Sequence, residues 1–189
     1  MSAYPQQQAN SRPATRLALA LAVALSATAI SSTAMADSTS VEMSRVSADG
    51  VEQSLGHIRI EETEHGLLFS PELESLEEGM HGFHVHEHSS CDPAHKDGEM
   101  AAAESAGGHF DPQGTGKHLG PYAEGHLGDL PALYVNDDGK AEMPVLAPRL
   151  TSVEQLEGRT LMIHAGGDNY ADEPEPLGGG GSRVACGVI

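Results

Sequence analysis

One glycine-rich segment of the chain, 107–129 (GGHFDPQGTGKHLGPYAEGHLGD), carries three histidines and an aspartate that could bind a metal ion. They are His109, His118, His126 and Asp129. Three neutral imidazoles and one carboxylate complete the tetrahedral ligand set of a structural zinc ion. The segment shows no apolar periodicity, so it has no apolar core of its own. We therefore predict a zinc site that orders this long loop. The alternative is a flexible polar loop.

Three further histidines lie in segments with a strand pattern. His84 and His86 are two residues apart in GFHVHE, so a strand would place both imidazoles on one face and Phe83 and Val85 on the other. His164 lies in a separate apolar segment, LMIHA. A pair of imidazoles on one face indicates a metal site. Solvated or buried structural histidines are the alternative.

The elements that must position these side chains read as short strands separated by turns. Candidate strands are 41–43 (41–45 in a longer version), 55–60, 66–70, 82–87, 131–136, 139–146, 159–165 and 182–189. Asp137, Asp138 and Gly139 indicate a turn, and Ser152 with Gln155 could cap one helical turn at 153–156. This pattern predicts an all-β antiparallel sandwich or barrel.

The N-terminal segment, 1–36, reads as a secretory signal peptide. Arg12 and Arg16 precede an uncharged run, LALALAVALSATAI, and Ala34-Met35-Ala36 is a small-x-small cleavage site. An uncleaved membrane anchor is the weaker alternative, because the run ends in Ser and Thr. We predict cleavage near Ala36, a mature domain of 37–189, and no stable membrane contact after cleavage.

Charge restricts the partners of this chain. The whole chain has 10 Lys and Arg against 28 Asp and Glu, a net charge of -18. Without the two arginines of the signal, the net charge becomes about -20. Nucleic acids and anionic membrane surfaces are therefore excluded as favourable partners.

The two cysteines, Cys91 and Cys186, would both reside in an oxidising compartment after export. Two distant cysteines in such a compartment are most simply a disulfide. The alternative is a pair of buried free thiols. A disulfide here would tie the loop after His86 to the C-terminal strand.

Six motifs in order resemble the copper/zinc superoxide dismutases, specifically their bacterial periplasmic branch. These motifs are GFHVHE, GGHFDP, GKHLGP, GHLGD, MIHAGGDN and GGGGSRVACGVI, and they span essentially the whole mature chain. The resemblance implies a Greek-key antiparallel β-sandwich or barrel with long metal-binding loops and one intrachain disulfide. It also implies one copper and one zinc per chain, a location in the periplasm, and dismutation of superoxide to O2 and H2O2.

The resemblance assigns the ligands residue by residue. The implied copper ligands are His84, His86, His109 and His164, and the implied zinc ligands are His109, His118, His126 and Asp129. His109 would bridge the two ions, and on copper reduction it would release copper and take a proton. Asp168 would link a copper histidine to a zinc histidine; an ordinary turn aspartate is the alternative.

Basic residues are expected to attract and bind an anionic substrate. The resemblance places Arg183 beside the copper, where a guanidinium can hold a small anion. The segment 169–182, which carries guiding charges in the animal enzymes, contains no Lys or Arg here. We therefore expect steering from Lys96, with Lys117 second; a plain solvated lysine is the alternative for each.

Other hypotheses stay open at this point. A copper and zinc buffering protein on the same fold is one, and a structural domain that uses only the zinc is another. The oligomeric state could be a monomer or a homodimer. His88 and His95, on either side of Cys91, are expected to be solvated, with an auxiliary metal or haem site as the alternative.

Overall fold

Strands make up most of the regular structure in the part of the chain that the computed structural model describes, namely residues 1, 3 and 37–189. The predicted signal peptide falls on residues outside this description. The strands are β1 Ser38–Ser47, β2 Gly50–Thr63, β3 Gly66–Leu73, β4 Gly79–His81, β5 Phe83–His86, β6 Ala94–Lys96, β7 Glu99–Ala101, β8 Leu133–Val135, β9 Val145–Ala147, β10 Thr160–His164 and β11 Arg183–Val188. Short 3-10 helices span Glu104–Ala106, Val153–Leu156 and Pro176–Gly179.

Seven of these strands form one antiparallel sheet that curls on itself, in the order β5-β10-β11-β1-β2-β3-β9. Two small antiparallel sheets add β4 with β8 and β6 with β7. Strand β10 pairs with β5 although the two are far apart in sequence, and the register sets Met162 opposite His84. The topology therefore brings the candidate histidines of β5 and β10 together. The all-β antiparallel prediction is confirmed.

The core follows the two-residue period of the strands. Met43 of β1 and Ile58 and Ile60 of β2 are completely buried. The longer version of the first strand is confirmed, because β1 includes Arg45, but the alternation of buried and exposed side chains does not continue to this residue. A bulge shifts the register of β1 before Val46, so Val46 is buried and Arg45 is only half-buried.

The capped helical turn is present as the 3-10 helix Val153–Leu156. The side-chain oxygen of Gln155 accepts the backbone N–H groups of Thr151 at 2.7 Å and Ser152 at 3.0 Å. These N–H groups precede the helix and would otherwise have no partner. The sequence signal for this turn is therefore confirmed by the contact it requires.

Two local predictions differ from the structure. The continuous strand predicted over 139–146 is reduced to an isolated bridge at Ala141 and the three residues of β9. Pro144 intervenes and has no N–H to give to a strand ladder. Conversely, the hairpin of β6 and β7 was not predicted, although its turn, Asp97-Gly98, has both residues at positive φ, as a two-residue hairpin requires.

The disulfide between Cys91 and Cys186 is present, as predicted. Both cysteines are buried in a small cluster with Ala103, Ala106 and Met162, separate from the main core. This cluster joins the loop after β5 to the middle of β11.

None of the helices in the described part of the chain has both the length and the apolar character needed to span a membrane.

Candidate metal centre

Strands β5 and β10 position three imidazoles at the edge of the curled sheet. Phe83 and Val85 of β5 point into the main core, so the alternation turns His84 and His86 to the opposite face. His164 ends β10, which pairs with β5. All three histidines are buried.

Donor atoms of four histidines converge here. His84, His86, His109 and His164 each offer a ring nitrogen, and these nitrogens lie within 4.8 Å of one another. Their other ring contacts indicate which nitrogen is free. His86 Nδ1 donates to Gly107 O at 2.9 Å, and His164 Nδ1 donates to Gly181 O at 3.2 Å, because a carbonyl oxygen can only accept.

The nitrogens left over are unusual for buried polar atoms. Nε2 of His86, Nε2 of His164 and Nδ1 of His84 are buried and have no hydrogen-bond partner in the part of the chain that the structure describes. Buried polar atoms in native proteins are nearly always paired, and an unpaired one calls for a ligand or ion. Several bare imidazole nitrogens pointing into one space fit a cation that prefers nitrogen donors.

A second group of donors surrounds one oxygen of Asp129. Asp129 Oδ1 lies 3.0 Å from His109 Nδ1, 3.1 Å from His118 Nδ1 and 3.4 Å from His126 Nδ1. The Nδ1 atoms of His118 and His126 are buried and lack a hydrogen-bond partner. Three imidazole nitrogens and one carboxylate oxygen in contact form the donor set of a closed zinc site.

His84 also has a donor atom close to the second group. The donor atoms of His84, His109, His118 and Asp129 lie within 4.8 Å of one another, whereas His126 does not meet this distance limit. The ring of His84 stacks on that of His109 with centroids 3.9 Å apart, which explains its proximity. His84 Nε2 already contacts Asp168. We therefore regard His126, whose Nδ1 has no other partner, as the fourth member of this second group.

Two residues connect the groups. His109 belongs to both, since its Nδ1 contacts Asp129 while its ring stacks on His84. Asp168 connects them from outside: its Oδ2 accepts from His84 Nε2 at 2.8 Å and its Oδ1 accepts from His118 Nε2 at 2.7 Å. The Asp168 side chain is fully buried, and within the described residues its hydrogen bonds are these two and one from the Tyr170 N–H at 2.8 Å.

Burial and charge divide the imidazoles by their pKa values. Burial lowers the pKa of His84 and His86 well below the usual value, helped by repulsion from His109. Burial likewise lowers the pKa of His164 to about 4. These side chains stay neutral at pH 7, the form that binds metals.

The second group behaves differently because it contains carboxylates. Burial alone would lower the pKa of His118, but the neighbouring carboxylates of Asp129 and Asp168 outweigh burial and raise it to about 9. Burial would raise the pKa of Asp129, yet the hydrogen bond from His109 and the proximity of His118 lower it well below its usual range. At pH 7 the metal-free chain therefore carries a protonated His118 between the carboxylates of Asp129 and Asp168. The same carboxylates would neutralise a bound dication.

A cavity of about 220 Å³ opens onto the first group, and its lining includes His86, His109, His164, Lys96 and Arg183. The Arg183 guanidinium donates from Nη1 to Ala103 O at 2.6 Å and from Nη2 to Gly107 O at 2.7 Å. These two carbonyls hold the planar group in one orientation.

One residue that sequence reasoning missed lies between the two cations of the cavity. Glu104 approaches Arg183 Nη1 to 3.4 Å and Lys96 Nζ to 3.6 Å. Lys96 is also the cross-strand partner of Glu99 in the β6–β7 hairpin. The carboxylate of Glu104 therefore contacts the predicted steering lysine. Lys117, the second steering candidate, does not line this cavity.

The other histidines have simpler surroundings. His81 is buried, with its two ring nitrogens 2.7 Å from His164 O and 2.8 Å from Glu77 O, which ties β4 to the end of β10. His88 and His95 are exposed. Neither belongs to a group of candidate metal ligands within the described residues.

Fold and site together define a class: an antiparallel β protein with two neighbouring groups of buried candidate metal ligands. Comparisons with known proteins agree. Residues 54–189 match the sequence model of the copper/zinc superoxide dismutase family. The chain is 58% identical over 167 residues to superoxide dismutase [Cu-Zn] of Escherichia coli K12, covering 88% of this chain and 96% of that protein.

Solved structures give the same result. The copper/zinc superoxide dismutase from Brucella abortus matches with a TM-score of 0.80 and 51% identity, covering 81% of this chain and 99% of its own. The monomeric copper, zinc superoxide dismutase from Salmonella enterica matches with a TM-score of 0.74 and 59% identity, covering 81% and 99%. The chain belongs to the copper/zinc superoxide dismutase family. It is an enzyme that converts superoxide to O2 and H2O2, with copper and zinc as cofactors.

Proposed function

We propose that the two groups of donors divide the metals as the family pattern implies. His84, His86, His109 and His164 would hold copper, and His109, His118, His126 and Asp129 would hold zinc. The observation that carries this assignment is the set of buried ring nitrogens without partners, at His84, His86 and His164 on one side and at His118 and His126 on the other. Only the second group contains a carboxylate donor, which suits the harder ion.

Copper would supply a reversible one-electron couple, and zinc would supply a fixed positive charge. The chain's residues do the rest. Arg183 binds the anion in the cavity, because its guanidinium is held there by two carbonyls and retains its charge at all working pH values. Burial lowers its pKa, and Glu104 opposes that shift.

Superoxide chemistry also needs protons. One superoxide gives up an electron and leaves as O2, while a second accepts an electron and two protons and leaves as H2O2. His109 is the proposed proton carrier: its Nδ1 faces Asp129 and its ring borders the cavity, so Nε2 can deliver a proton to a reduced substrate. Burial lowers the pKa of this ring, although the hydrogen bond to Asp129 opposes that shift.

The test is to measure bound copper and zinc on purified 37–189 and to assay superoxide dismutation on the same sample. We expect one copper and one zinc per chain with fast turnover. Arg183→Gln should reduce kcat/KM at least 10-fold with metal content unchanged, because only the charged anchor is lost. Full metal occupancy with negligible turnover would contradict the proposal and favour a metal-buffering role.

The site of action proposed for this chain is the periplasm. The supporting observations are the leader-like segment 1–36, the structural disulfide, and relatives from Escherichia coli and Salmonella. Disulfides persist in oxidising compartments outside the cytoplasm. Mass spectrometry of the protein recovered by osmotic shock should find an N-terminus at Asp37; recovery only in the cytoplasmic fraction with an intact leader would contradict this.

A homodimer is the proposed assembly, supported by one exposed apolar patch. Met80 of β4 and Tyr134 of β8 are cross-strand partners, 52% and 43% exposed, and Met143, 58% exposed, lies beside Tyr134. The Salmonella enterica structure is described as monomeric, so the alternative has a precedent in a relative. Light scattering on the mature chain, with Tyr134→Lys as the disrupting variant, distinguishes a dimer from a monomer.

A further inference from the structure

Arg149 contacts the loop that carries the candidate zinc ligands, although no sequence motif singles it out. Its guanidinium donates from Nη1 to His126 O and from Nη2 to Gly125 O, both at 2.9 Å. Both terminal nitrogens are therefore used on two consecutive peptide carbonyls. Arg is suited to this because its donors form a planar fork.

The arginine completes a clamp around His126. On the other side, the backbone N–H of His126 donates to Lys117 O at 2.9 Å. The N–H and the C=O of the same residue are thus each held by a separate segment. With both peptide groups fixed, the side chain leaves the backbone in one direction, and its Nδ1 lies 3.4 Å from Asp129 Oδ1.

Close backbone packing at Gly125 restricts the conformation of the segment 117–126. A Cβ placed on Gly125 would lie 2.5 Å from Lys117 O and 2.9 Å from Leu119 N, so only glycine allows this approach. The segment 117–126 therefore folds back on itself at contact distance. This turn contains little apolar side chain to bury, and its backbone contacts hold it.

Arg149 itself starts from a rigid position. It lies two residues after β9, whose Ala147 pairs with Leu67 of β3, and the next residue, Leu150, is fully buried and accepts the Leu67 N–H at 2.9 Å. The backbone on both sides of Arg149 is thus part of the barrel wall. The guanidinium reaches from this wall to a loop that is more than 20 residues away in sequence.

We propose that Arg149 is a positioning residue of the zinc site, which acts through the backbone of His126 and anchors the zinc-binding loop to the barrel. It touches neither the metal nor the substrate. The inference rests on the proposed assignment of His126 to zinc. Partners that orient a metal ligand from outside typically change metal affinity 10- to 100-fold when removed.

The test measures the rate of zinc release from the two-metal enzyme to a chromogenic zinc chelator at pH 7. Arg149→Lys keeps the charge and one donor but loses the fork, so zinc release should accelerate about 10-fold while copper release stays within twofold of wild type. Arg59→Lys, at an exposed arginine paired with Glu61 on β2, is the matched control and should leave both rates unchanged. Unchanged zinc release in Arg149→Lys overturns the proposal.

A double-mutant cycle separates positioning from general stabilisation. His126→Ala should itself accelerate zinc release, and adding Arg149→Lys to it should have no further effect, because the residue through which Arg149 acts is gone. Equal acceleration in both backgrounds would overturn the positioning role. If His126→Ala alone leaves zinc release unchanged, the zinc assignment fails instead. Cobalt in the zinc site provides a second readout, since its visible absorption bands report ligand geometry and should shift in Arg149→Lys.

Discussion

Replacing Asp168 by Asn tests how the buried carboxylate connects the two metal sites. The change keeps the shape and removes one acceptor. Asp168 Oδ1 accepts from both His118 Nε2 and the Tyr170 N–H, whereas Oδ2 accepts only from His84 Nε2. The amide oxygen should therefore stay on the side with two donors. The amide NH2 then faces His84, where two N–H groups oppose each other.

His84 can relieve this conflict only by changing its tautomer. Its Nε2 would accept from the amide, and its proton would move to Nδ1, the atom that is buried without a partner and proposed to bind copper. Copper affinity should fall 10- to 100-fold, or about 1.4–2.7 kcal/mol, and zinc affinity should change less. The carboxylate packs directly against Gly178, where a Cβ would lie 2.7 Å from Asp168 Cγ and could not be accommodated.

The assay is a competition titration with copper and zinc chelators on wild type and Asp168→Asn. Asp138→Asn, in the exposed turn after β8, is the control and should change neither affinity. Loss of zinc with copper affinity intact would refute the assigned orientation of the amide. Two unchanged affinities would refute the structural importance of the connection.

Three further predictions concern charge, covalent structure and pH. Lys96→Glu should lower kcat/KM and flatten its dependence on salt, since Lys96 lines the cavity. Lys117→Glu, away from the cavity, is the matched control. An unchanged salt profile for Lys96→Glu contradicts steering. Replacing Cys91 and Cys186 by Ser removes a cross-link over 95 residues and should lower the free energy of unfolding by about 4–5 kcal/mol in urea titrations; a loss below about 1 kcal/mol contradicts this. In the metal-free chain, the lowered pKa of His164, about 4, makes stability fall as pH drops from 6.5 to 4, because the unfolded chain takes up the proton first. The raised pKa of His118, about 9, makes stability fall as pH rises from 6.5 to 9. Urea titrations should therefore give a maximum near pH 6.5, and a monotonic profile would contradict these assignments.

Local periodicity was enough to predict part of this site. The two-residue period placed His84 and His86 on one face and Phe83 and Val85 on the other, and the structure has this arrangement. Spacing alone also grouped three histidines and Asp129 in one glycine-rich loop. The pairing of the loop with the strand histidines, by contrast, came from the family resemblance, because nothing in the spacing says which distant segments meet.

The residues that were missed act through contacts between distant segments. Arg149 binds backbone carbonyls, which every residue carries. The residue types of its partners therefore give no signal from which this contact could be predicted. Glu104 contacts Lys96 of the β6–β7 hairpin and Arg183 of β11. These residues are brought together only by the tertiary fold, so the contacts cannot be read from the sequence. The β6–β7 hairpin is different: Asp97-Gly98 is a turn signal that the sequence does contain.

The shared carboxylate of Asp168 has a consequence for how the two metals occupy the enzyme. One buried side chain orients an imidazole of each group, and a second imidazole, that of His109, belongs to both. Filling either site therefore changes the environment of a ligand of the other, and thermodynamic reciprocity requires that each metal change the affinity of the other by the same factor. The contribution of this coupling to the total binding free energy is therefore the same whether copper or zinc is loaded first.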